Sequence, residues 1–118
     1  MLRIYARILA AVLGVVAIVA ARRMTGASLS MGVLYLGSAA VFAYAGFSLR
    51  SAATIRIVVA AMGALFLLLG LLVALAMGTL GFPFEGRGWA AGLAHAALGG
   101  LTMACAVLLP CDDETSSR

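Results

Sequence analysis

Long stretches without a charged residue are the feature that most restricts how this chain can fold. Three of them are long enough for the roughly 20 apolar residues that a membrane-spanning helix needs: Ala27–Leu49, Ile57–Phe84 and Gly88–Cys111. A fourth, Ile8–Ala21, is shorter, and reaches that length if the arginines before it extend their head groups to the membrane surface. An open chain satisfies its backbone hydrogen bonds in lipid as a helix, and no alternating strand pattern is present. The chain is therefore predicted to be helical.

The composition supports the same interpretation. Of the 118 residues, 65% are hydrophobic and 10% are charged, whereas a soluble domain carries roughly 25% charged residues. A water-facing surface cannot be built from so few charges, so we expect an integral membrane protein in contact with the lipid bilayer. The net charge of +4 comes from arginines near the ends of the apolar stretches. Such placement is typical of membrane-topology signals and does not indicate a nucleic-acid partner.

The predicted fold is an all-α, integral membrane, four-helix antiparallel bundle. We expect helices at about 3–21, 27–49, 54–80 and 88–110, forming one domain over residues 1–111, followed by a polar acidic tail at 112–118. Short links force sequential helices to run antiparallel, and Gly81-Phe82-Pro83 should end the third helix. The first stretch has an alternative interpretation, because arginines before a short apolar run also resemble a cleaved secretory signal peptide.

Arginine placement predicts the orientation. One side of the membrane would hold the larger number of arginines, which favours both termini in the cytoplasm and a bacterial inner (plasma) membrane. On that side lie Arg3, Arg7, Arg50, Arg56 and Arg118, and on the other Arg22, Arg23 and Arg87. Near the helix ends, aromatic and arginine side chains suit the headgroup region as interface anchors. The predicted anchors are Tyr5, Trp89, Arg7 and Arg56.

Small residues at spacings of four predict where helices pack closely, because they let backbones approach in lipid. The longest such row lies on the fourth helix and comprises Gly88, Gly92, Ala96, Gly100 and Ala104. A second lies on the third helix and comprises Gly70, Ala74 and Gly78. These rows either pack inside the bundle or contact another membrane protein.

His95 is the one candidate for chemistry, since an ionisable residue within a membrane helix is a functional hypothesis by default. It could relay protons, bind haem or a metal, or anchor its helix to a neighbour. No second histidine and no buried acid accompany it, so we predict a structural role, with no metal and no cofactor. Cys105 and Cys111 are too far apart on a helix to form a disulfide without unwinding it.

The segment Gly92-Leu93-Ala94-His95-Ala96-Ala97-Leu98-Gly99 resembles a family of small bacterial membrane proteins of unknown function. That family has four predicted helices and a leucine–histidine–x–x–leucine–glycine signature in the last one, after a polar entry. Here His95, Leu98 and Gly99 match, Ala94 replaces the leucine, and Arg87-Gly88-Trp89 replaces the polar entry. The run Val33–Gly37 is also similar to the second helix of the family. The resemblance implies a fold and a role for His95, and no activity.

These observations predict a non-enzymatic accessory or scaffold subunit that packs against a membrane-protein partner or forms a homo-oligomer. One alternative is a small homodimeric transporter or channel in which His95, with Tyr35 or Tyr44, lines a path. Another is a haem- or quinone-associated membrane anchor of a redox complex. A haem held by two histidines would need a homodimer or a partner, since this chain has one histidine.

Overall fold

Four helices make up the computed structural model of the chain. It describes residues 1–22, 26–79 and 88–110, and the side-chain environments of 1–19, 21–22, 32–76 and 90–110. The helices are α1 (Leu2–Ala21), α2 (Gly26–Phe47), α3 (Ala52–Thr79) and α4 (Gly88–Leu108). No strand occurs within the described ranges, which confirms the all-α prediction. The predicted tail and the Phe82–Arg87 link lie outside the described residues.

The helix boundaries follow from local chemistry. Pro110 disfavours helical geometry at the residue before it, and α4 ends at Leu108. At the end of α2, the amides of Ser48 and Leu49 both donate to the carbonyl of Tyr44, at 2.9 and 3.2 Å, which closes the last turn. The Ser51 hydroxyl accepts from the Thr54 amide at 3.4 Å, so α3 begins two residues before the expected start.

Three of the helices are long and apolar enough to cross a membrane: Leu2–Val19, Ala52–Ala76 and Ala90–Leu108 provide the candidate spans. In α2, the part with described side chains, Gly32–Phe47, is apolar and shorter. Backbone contacts divide the chain into two compact units, one of residues 1–58 and 109–118 and the other of residues 59–108. The boundary between these units falls inside α3, so each is described by itself below.

The first unit is built on the antiparallel pair α1 and α2. The Cα of Gly46, near the end of α2, lies beside Arg7 of α1, while Gly32 lies beside Ala17 and Ala21 near the end of α1. Each of the two helices carries a row of buried side chains. On α1 the buried stripe is Leu2, Ala6, Leu9, Leu13 and Ala17; on α2 it includes Ser38, Ala39, Phe42 and Ala45.

The second unit is built on the rest of α3 and on α4, which also run antiparallel. Gly63 of α3 lies beside Gly99 and Met103, and Gly70 lies beside Gly92 and Ala96. The buried side chains of this pair include Val59, Phe66, Thr102 and Ala106. Where the two helices come close together, the residues in contact are largely glycine and alanine.

Candidate functional site

At Gly70 and Gly92 the backbones of α3 and α4 come close together. A Cβ on Gly92 would stand 2.8 Å from the amide nitrogen of Ala74 and 2.9 Å from the carbonyl oxygen of Gly70. A Cβ on Gly70 would come closer than 3.0 Å to the backbone of Gly92 and Ala96. Real Cβ atoms essentially never approach backbone atoms this closely, so the two helices touch backbone to backbone here.

The same arrangement recurs along the pair at Gly63 and Gly99. A Cβ on Gly63 would stand 2.8 Å from the Met103 amide nitrogen and 3.0 Å from the Gly99 carbonyl oxygen. One on Gly99 would come within 3.0 Å of Leu67 backbone atoms. Gly63 and Gly70 are seven residues apart, and so are Gly92 and Gly99. A seven-residue repeat is the period that keeps one face of a helix on its partner. We call these four residues the glycine seam.

The predicted small-residue rows lie only partly in this contact. The structure brings Gly92 and Ala96 against Gly70 and Ala74, as a packing role requires. Further along α4, a Cβ on Gly100 would meet nothing within 4 Å, and Ala104 is exposed. A row with four-residue spacing rotates by about 40° at each step, so it leaves a straight contact line within two steps. Gly78 and Gly88 lie outside the described side chains.

The contact residues that the small-residue rows omitted are Gly63 and Gly99. A signal for them was present in the sequence, because a pair of glycines seven residues apart occurs once in α3 and once in α4. The four-residue rows competed with it, since small residues occur on several faces of α4.

A second face of α4, exposed in the structure, is also lined largely by small side chains. Its members follow one another at alternating intervals of four and three residues: Ala90, Ala94, Ala97, Leu101, Ala104 and Leu108, with exposed Leu93 beside them. Gly100 adds an open position beside them. We call this set the outer face of α4. The exposed face of α3 has the same periodicity but large side chains, namely Leu65, Leu68, Leu72 and Leu75.

The side chain of His95 contacts its own helix, α4, and the ring of Phe66 on α3. Its Nδ1 donates to the Ala91 carbonyl oxygen at 2.7 Å, which fixes Nδ1 as the protonated nitrogen of that bond. The imidazole stacks on Phe66, with ring centroids 6.1 Å apart and planes at 28°. Among the described residues, no group of three or more His, Cys, Asp or Glu side chains converges as a metal site. These contacts join His95 to its own helix and to α3.

Two buried hydroxyls are held by the helices that carry them. Ser38 donates to the Leu34 carbonyl at 2.8 Å, and Thr102 donates to the Leu98 carbonyl at 2.7 Å. Such bonds to the preceding turn occupy the hydroxyl proton within the same helix. Tyr44, one of the residues that would line a path in the transporter alternative, has a side chain that is 59% exposed.

The predicted anchor Arg7 contacts the end of α2. Its Nε donates to the Gly46 carbonyl at 2.9 Å, and its guanidinium carbon lies 4.6 Å from the centre of the Phe47 ring. Arg3, one turn earlier, donates from Nη2 to the Arg50 carbonyl at 3.3 Å. Carbonyls near a helix C-terminus lack helical partners and carry partial negative charge, so Arg7 stabilises the end of α2, while Arg3 contacts the link that follows it.

The predicted anchor Arg56 contacts the first residue after α4. Its Nη2 donates to the Leu109 carbonyl at 3.3 Å, and the Leu2 amide donates to the next carbonyl, that of Pro110, at 3.2 Å. Tyr5 is half-buried on α1, and the side chain of Trp89 lies outside the described environments. All of these arginine contacts fall in the first unit.

Comparison with known proteins adds no relative to these observations. No family model matches the chain, and no significant match is found among curated proteins or solved structures. The geometry of the packing faces and of the arginines therefore carries the functional interpretation.

Proposed function

We propose that the chain is a non-enzymatic, integral membrane accessory or scaffold subunit whose four helices form a bundle and whose fourth helix packs against another membrane protein. The observation that carries this proposal is the outer face of α4, an exposed, apolar and regularly spaced row of small side chains. Membrane location and partner binding are two parts of the proposal, and each rests on a different property of the exposed surfaces.

Membrane location is supported by where the large aliphatic side chains lie. The exposed positions of α1 include Ile4, Ile8, Val12, Val15, Ile18 and Val19, and those of α3 include four leucines in one row. In water such continuous apolar surface would drive aggregation, whereas lipid tails cover it at no cost. Inside the helix pairs, in contrast, many of the contact positions are small. Helices in a membrane are expected to have small residues where they contact each other and large aliphatic residues where they face the lipid.

Partner binding is supported by the contrast between the outer faces of α3 and α4. Both faces repeat at intervals of three and four residues, but α3 presents leucines where α4 presents mainly alanines. Lipid tails fit either surface. A second helix approaches an alanine-lined face more closely, because backbone atoms can then make contact.

We also propose an orientation with both termini in the cytoplasm of a bacterial cell, at the inner membrane. Four arginines of the first unit lie at or near the start of α1, the end of α2 and the start of α3: Arg3, Arg7, Arg50 and Arg56. Arg22 follows the opposite end of α1. The side with more arginines near the ends of spans is usually cytoplasmic. We also propose that the chain belongs to the family of small four-helix membrane proteins that it resembles. Two of the matching residues, His95 and Gly99, both contact α3.

The test is the native mass of the tagged protein, extracted gently from the membranes of its own host. We expect a defined assembly with companion proteins, from wild type and from Gly37→Leu. We expect Gly100→Leu to lose the companions while it keeps its helical content, because both glycines have open space above Cα and only Gly100 lies on the outer face of α4.

Three results would contradict the proposal. Extraction of the chain by alkaline carbonate would exclude membrane integration. A bare monomer or homodimer of wild type would exclude the accessory role and favour the transporter. Retention of companions by Gly100→Leu would move the contact away from α4. A visible spectrum of the same sample tests the haem-anchor alternative, which requires a Soret band.

A further inference from the structure

We draw no further inference here: the strongest candidate, the apolar groove between α1 and α2 that is lined by Ala17, Ile18, Ala21, Gly32, Val33 and Leu36, carries none because nothing in the described part of the structure shows what covers it.

Discussion

The α1–α2 pair and the α3–α4 pair have similar composition but pack in different ways. Between α1 and α2, a Cβ on Gly32 would make ordinary contacts, with the Ala17 oxygen at 3.6 Å, and one on Gly46 would meet the flexible Arg7 side chain at 2.8 Å and the Arg7 amide nitrogen at 3.2 Å. Between α3 and α4, the glycine seam lets the two backbones touch. The first pair should therefore tolerate changes of volume in part, whereas the second should tolerate no added atom at the seam.

The largest effect is expected from Gly70→Leu in the glycine seam. Its side chain would have to occupy the backbone of Gly92 and Ala96, which cannot move aside as a flexible side chain can. We expect destabilisation of more than about 3 kcal/mol and separation of α3 from α4. Denaturant titration in mixed micelles, followed by circular dichroism, measures it. A variant with the midpoint of wild type would show that the seam is not in contact.

Phe42→Ala should have the next largest effect, in the other helix pair. The side chain is fully buried, and its removal leaves a cavity between helices that cannot close completely. We expect a loss of about 3 kcal/mol in the same titration, with both helices still formed. Leu72→Ala is the control, because that side chain is 64% exposed and should change the midpoint little. Equal effects from the two variants would mean that Phe42 is not a core residue.

The smallest effect is expected from Gly37→Ala, which separates the two roles of glycine. A Cβ at this position would meet nothing within 4 Å, so no steric penalty arises. The free energy of unfolding should stay the same or rise by up to about 1 kcal/mol, because alanine has the higher helix propensity. Gly99→Ala introduces the same methyl group in the seam and should destabilise the protein. If both variants behaved alike, the distinction between the pairs would fail.

The sequence predicts the helices well, and it predicts the packing faces only in part. The absence of charge over long stretches gives four helices, and Pro110 and Ser51 set ends of α4 and α3 within a few residues. Of the rows of small residues, Gly70, Ala74, Gly92 and Ala96 are in contact, while Gly100 is open. The reason is that α4 has small residues on more than one face, so composition along the helix does not select which face meets α3.

The arginines show the same limit in another form. Their positions at the ends of apolar stretches predicted Arg7 and Arg56 as residues of the membrane surface. Nothing in their spacing indicates that Arg7 bonds the end of α2, or that Arg56 bonds the carbonyl of Leu109. Those partners depend on which helix ends lie next to each other.

By itself, then, the sequence determined the number and type of elements, because apolar composition and the breaks between helices act locally. Only the tertiary structure decided that the seven-residue repeat of Gly63, Gly70, Gly92 and Gly99 forms the seam and leaves Gly100 open. That choice depends on how each helix is rotated about its axis. Rotation is set by the partner helix, since backbone contact is gained on one face at the expense of the others.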